Sequence, residues 1–145
     1  MSSEQRSGGG DHPLLGFTRL VLLVSAVVQA AFGVACVFFP SFMNSVALPD
    51  PLPPSSDLVY QYFGALFLTN ALGAVYALRQ NRWAAARLYL IIAGSFVALS
   101  VALTLAAAVG EPGVPWTVWL YVGLAALYLP SVAYTLGKES GRHPD

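Results

Sequence analysis

The sequence predicts an all-α fold, a polytopic membrane four-helix bundle with a short interfacial helix after the first span. Three observations predict it. Hydrophobic residues make up 57% of the 145 and charged residues only 10%, against about 25% charged in soluble domains. The apolar residues fall into four long runs, each sufficient to cross a hydrocarbon core of about 30 Å at a rise of 1.5 Å per residue. The seven basic and seven acidic residues lie outside those runs or at their rims, so a formal net charge of zero hides a strict segregation.

Residues 1–13 (MSSEQRSGGGDHP) are polar, glycine-rich and aperiodic, the composition of a disordered tail. His12 reads there as a solvated side chain. The first span covers Phe17 to Phe39, with no charge after Arg19. Val28-Gln29-Ala30 resembles a signal-peptidase pattern, but apolar character continues beyond it, which favours an uncleaved helix. Pro40 ends this run, and Ser41 to Leu48 places Phe42, Met43 and Val46 at helical spacing, a short helix lying in the interface. The prolines of Pro49 to Pro54 then force an extended loop. Ser55, Ser56 and Asp57 are positioned to cap the second span, accepting its free N–H groups and placing negative charge at the positive end of its dipole.

The second span runs from Leu58 to Leu78 and the third from Trp83 to Val109, which is longer than the core and must tilt or project. GEPGVP, Gly110 to Pro115, is a turn. The fourth span, Trp116 to Leu136, contains Pro130, which removes one backbone bond and opposes the carbonyl of Ala126, predicting a kink. Residues 138–145 form a second disordered tail, leaving 14–137 as a single transmembrane domain.

Charge sets the topology. Arg6, Arg19, Arg79, Arg82, Arg87, Lys138 and Arg142 are all the basic residues, and all fall on one side of the spans. The positive-inside rule places that side, with both termini and the loop from Arg79 to Arg87, in the cytoplasm of a cell whose plasma membrane holds the protein. Trp83 and Tyr89 at the inner rim, and Tyr60, Tyr62, Trp116 and Trp119 at the outer one, match aromatic belts. Arg19 and Arg87 can snorkel from helix ends.

In lipid, helices associate through close packing and interhelical hydrogen bonds. Ala65, Thr69, Gly73 and Ala77 recur every four residues in the second span, and Gly94, Ala98, Ala102 and Ala106 do so in the third. The short basic loop between these spans predicts stripe against stripe. Spacing of four drifts about 40° per step, which favours a crossing over parallel alignment.

Composition also bounds the chemistry. Seven basic residues close to a membrane provide no face for neutralising phosphates, so nucleic acid is set aside as a partner. The single cysteine, Cys36, excludes an intramolecular disulfide and reads as a small buried hydrophobe. The sequence shows no metal-binding or nucleotide motif and specifies no cofactor. No Asp, Glu, Lys, Arg or His lies within a span away from its rim, which argues against proton relay, voltage sensing and intramembrane acid–base catalysis. What remains is neutral: Gln29, Asn70 and Tyr128, with Ser95 and Ser100, near mid-depth. An unsatisfied amide in hydrocarbon is costly, so Gln29 and Asn70 are expected to face the interior and to find partners, each other among them. Two readings stand: interhelical glue, or a site for a small amphipathic ligand such as a quinone, lipid or pigment.

GVACVFFPSFMNSVALP, LVYQYFGALFLTNALGAVYAL and RQNRWAAAR together resemble the DoxX-like group of small bacterial membrane proteins. The shared features are four helices, a proline exit from the first and an aromatic-glycine opening of the second, here Tyr62, Phe63 and Gly64. The resemblance implies the bundle fold. Some members of that group look like accessory subunits of quinone-linked oxidoreductases, so it also implies a noncatalytic accessory or interaction subunit, with lipid and other membrane subunits or further copies as its partners.

Overall fold

The computed structural model describes residues 12–47, 57–108, 114 and 116–141. The chain among these is all-α. Helix α1 spans Gly16–Phe38, α2 Pro40–Ala47, α3 Asp57–Gln80, α4 Trp83–Ala108 and α5 Trp116–Ser140. Helices α1, α3, α4 and α5 are long and apolar enough to cross a membrane, and α2 is the short helix expected after Pro40. Proline suits that first helical position because its missing N–H would have no intrahelical acceptor. The prolines of the 49–54 loop, the caps Ser55 and Ser56, the turn at 110–113 and residues 1–11 and 142–145 lie outside the described residues. Asp57 opens α3 and supplies an acid to its first turn, where it complements the helix dipole.

Helix α1 packs most extensively on α3. Two glycines allow this contact. A Cβ on Gly64 would stand 2.8 Å from the Gly33 carbonyl oxygen and 2.7 Å from Val37, and one on Gly33 would meet Leu68 at 2.7 Å. Both are closer than any side chain tolerates, so the main chains meet directly. Cys36 and Val37 of α1 and Leu68 of α3 close the contact around the two glycines, and Phe32 meets Phe67 beside it.

The stripe-on-stripe pairing of α3 and α4 is therefore a correction. Ala65, Thr69, Ala98, Ala102 and Ala106 are exposed, and Gly94 packs on Val132 of α5 instead. Only the basic end of the predicted α3–α4 contact survives, with Gly73 against the Tyr89 ring and Ala77 buried. The reason is the drift of a four-residue spacing, which carries a stripe off any near-parallel partner.

The main core gathers at the end that carries the termini. Leu22, Ala74, Ala86 and Leu90 are fully buried there, surrounded by Val21, Ala26, Ala77, Trp83, Tyr89, Ala93 and Val132. Helices α3 and α4 are joined by Asn81 and Arg82 alone. Asn81 has a positive φ of 50°, the left-handed conformation that ends helices and that asparagine tolerates better than most residues. Its amide oxygen accepts from Arg19 Nη2 at 2.7 Å and Nε at 3.2 Å, so Arg19 is bound to the turn.

Helix α5 runs unbroken through Pro130 to Ser140. The expected tail at 138–145 thus begins too early by three residues, and Lys138 and Glu139 are helical. Gly141 closes the last turn through its N–H on the Gly137 carbonyl, at 3.3 Å.

Candidate functional site

Two polar clusters lie between the helices. The first is at mid-depth. Ser25 is one turn before Gln29 on α1, so both side chains share a face. Gln29 Nε2 donates to Ser25 Oγ at 2.8 Å and to the Tyr89 hydroxyl of α4 at 3.0 Å, and Ser25 Oγ and the Tyr89 hydroxyl share a bond of 2.8 Å. Tyr128 of α5 borders this group and interacts electrostatically with Ser25 and Tyr89. The cluster ties α1 to α4, which otherwise meet little, and leaves two interior atoms unpaired: Gln29 Oε1 and the Tyr128 hydroxyl.

Two of the three ligand candidates read from the sequence, Gln29 and Tyr128, are therefore brought together. Asn70 is not. It is half-buried on α3, with no side-chain hydrogen bond among the described residues, and the expected Gln29–Asn70 pair does not form. Gln29 finds its partners on its own helix and on α4, because the α1–α3 seam at this depth is closed by Gly33 and Leu68. Ser95 is exposed in an apolar groove between α4 and α5, bordered by Gly94, Ala98, Val132 and Ala133.

The second cluster is at the basic end and centres on Glu139, whose side chain is fully buried. Its Oε1 accepts from the Leu15 backbone N–H at 2.9 Å and from the Thr18 hydroxyl at 2.5 Å. Leu15 precedes the first turn of α1, so the carboxylate satisfies one of the N–H groups that a helix start leaves unpaired. Glu139 Oε2 stands 3.4 Å from His12 Nδ1. His12 is itself buried; its ring lies parallel to Trp83, with centroids 6.2 Å apart and planes 5° apart. The Trp83 main-chain N–H donates to the His12 carbonyl at 3.0 Å, and Pro13 forms an isolated antiparallel bridge with Arg82.

This cluster corrects the reading of His12 as a solvated residue at the edge of a tail. Sequence composition could not find it, because its members are separated by the whole length of the chain. One local signal was available: Gly141 follows a Lys138-Glu139-Ser140 turn, a common way to end a helix, which puts Glu139 inside α5.

At mid-depth one donor, the Tyr128 hydroxyl, and one acceptor, Gln29 Oε1, are left over by the cluster. The arrangement at the basic end sets the His12 ring against the Glu139 carboxyl group and fastens the chain before α1. Comparison with protein-family models, with curated proteins and with solved structures gave no match. Among the described residues, no group of three His, Cys, Asp or Glu side chains is placed to hold a metal ion.

Proposed function

We propose that this chain is a noncatalytic accessory or interaction subunit of a bacterial inner-membrane complex, with both termini cytoplasmic, that offers the outer face of α3 to another transmembrane helix. Asn70 carries this reading. It is an amide at the middle of an apolar helix, and no residue described here bonds to it. In hydrocarbon such a group gains from a partner helix that supplies a hydrogen bond. Ala65 and Thr69 on the same helix are exposed, so a second backbone can approach closely. The orientation rests on the basic side chains at one end of the bundle, and the resemblance to DoxX-like proteins agrees with an accessory role.

The test is purification of the intact protein in mild detergent beside Asn70→Leu. A larger stable assembly that Asn70→Leu weakens supports the reading. A chain that runs alone, with or without the substitution, removes it. Cysteine labelling of Ser56 and Asn81 from outside intact cells checks orientation: only Ser56 is expected to react.

A second reading is favoured by the unpaired Gln29 and Tyr128 atoms: binding of a small amphipathic molecule, such as a quinone, lipid or pigment, between α1, α4 and α5. Such a molecule would copurify with the wild-type chain and be lost from Gln29→Leu.

A further inference from the structure

The cluster around Glu139 supports an inference that does not depend on the α3 reading. The position of the His12 ring is fixed from several sides: it lies against Trp83, its carbonyl accepts the Trp83 N–H, and the next residue bridges to Arg82. In that position Nδ1 meets Glu139 Oε2 at 3.4 Å and the Pro13 carbonyl at 3.3 Å, while Nε2 meets the Glu139 carbonyl at 3.2 Å. With Glu139 ionised, all of these atoms are acceptors. A neutral imidazole has one N–H and one lone pair, and only the imidazolium has two N–H groups. We propose that the segment from His12 to Leu15 is a proton-responsive clasp, closed while His12 is an imidazolium facing the Glu139 carboxylate and released when His12 becomes neutral.

Among the described residues, the other charges near the pair give the sign. Helix α1 contributes Thr18, a neutral donor, and Arg19, which is turned to Asn81. The α3–α4 turn contributes Arg82, and α5 contributes Lys138, which is exposed. Glu139, buried and accepting from Thr18 and Leu15, is the anion that the His12 cation answers. When His12 loses its proton, one ring nitrogen turns a lone pair toward an oxygen, and attraction becomes repulsion. As pH falls far enough to protonate Glu139, the pair is also lost. The clasp is closed between these limits. Its opening removes the Leu15 N–H from Glu139 and uncovers Trp83, which is 5% exposed when the clasp is shut.

The test uses the full chain in phosphatidylcholine nanodiscs, with a nitroxide on Pro13→Cys in a Cys36→Ala background. Spectra are taken from about pH 5.5 to about pH 8.5, the range in which imidazoles titrate. The immobilised component is expected at the lower end and is lost toward the upper. In His12→Phe, which keeps a ring against Trp83 and leaves His143 in place, the spectrum should no longer change with pH. The same pH response in His12→Phe, or a label equally immobile throughout in the histidine-containing protein, overturns the proposal. A second measurement leaves the clasp unsubstituted: with Trp116→Phe and Trp119→Phe, acrylamide quenching of Trp83 rises with pH if the clasp opens and stays flat if it does not.

Discussion

The Thr18 hydroxyl donates to the Glu139 carboxylate at 2.5 Å, joining the first turn of α1 to the last turn of α5. A buried carboxylate with this donor, a backbone N–H and a histidine is favourable only as a set, because removal of one member leaves the others buried and unpaired.

Glu139→Leu is therefore expected to cost about 3–5 kcal/mol, and Thr18→Val about 1.5–3 kcal/mol. Glu139→Gln can still accept from Leu15 and Thr18 and should fall below the Leu variant. Unfolding by sodium dodecyl sulfate in mixed micelles, followed by circular dichroism, gives the order. A Leu variant as stable as wild type would contradict the buried set.

Gly64 and Gly123 make a paired test of the α1–α3 contact. Alanine at Gly64 drives a methyl group against the Gly33 carbonyl oxygen, whereas nothing lies within 4 Å of a Cβ at Gly123. Gly64→Ala should lose about 1–3 kcal/mol through overpacking, and Gly123→Ala should be neutral or gain up to about 1 kcal/mol from helix propensity. Equal effects at the two sites would mean that α1 and α3 are not in main-chain contact.

Both ends of the mid-depth network can be varied without changing volume much. Tyr89→Phe removes one of the two acceptors of Gln29 Nε2 and the Tyr89 partner of Ser25, with an expected cost of about 0.6–1.7 kcal/mol. Ser25→Ala in the same background should add less than it does alone, because the two share one bond. Strict additivity in the double-mutant cycle would show that the hydroxyls act independently.

At Asn81 the prediction concerns the backbone. Its φ of 50° costs most side chains about 1–2 kcal/mol, so Asn81→Ala should destabilise by about that amount and Asn81→Gly by less. Thermal unfolding of both variants in detergent distinguishes a strained turn from a permissive one, in which the two would match.

The four spans, the helix after Pro40 and the abrupt α3–α4 turn were legible because hydropathy and proline are local signals. Packing was less so. The close approach at Gly33 and Gly64 was hidden by more conspicuous four-residue stripes, and those stripes turned out to face outward at Ala65, Thr69, Ala98 and Ala102. Small residues are common on membrane helices, so spacing has to agree with supercoil geometry before it marks a seam. Of the site, Gln29 and Tyr128 were found from their depth, whereas Ser25 and Tyr89 were not, since a serine or an interfacial tyrosine carries no burial cost that sets it apart. The pairing of His12 with Glu139 was out of reach for a different reason: each lies in polar flanking sequence, and only the three-dimensional closure of the bundle buries them.

That closure has a consequence for synthesis. His12 and Glu139 are 127 positions apart in the chain, so the group that caps α1 is made long after the segment it fastens. At about 5–20 residues per second, the start of α1 waits on the order of 6–25 s for its carboxylate. Until then the Leu15 N–H lacks the carboxylate that it meets in the folded chain. The final fastening of α1 thus follows the synthesis of α5.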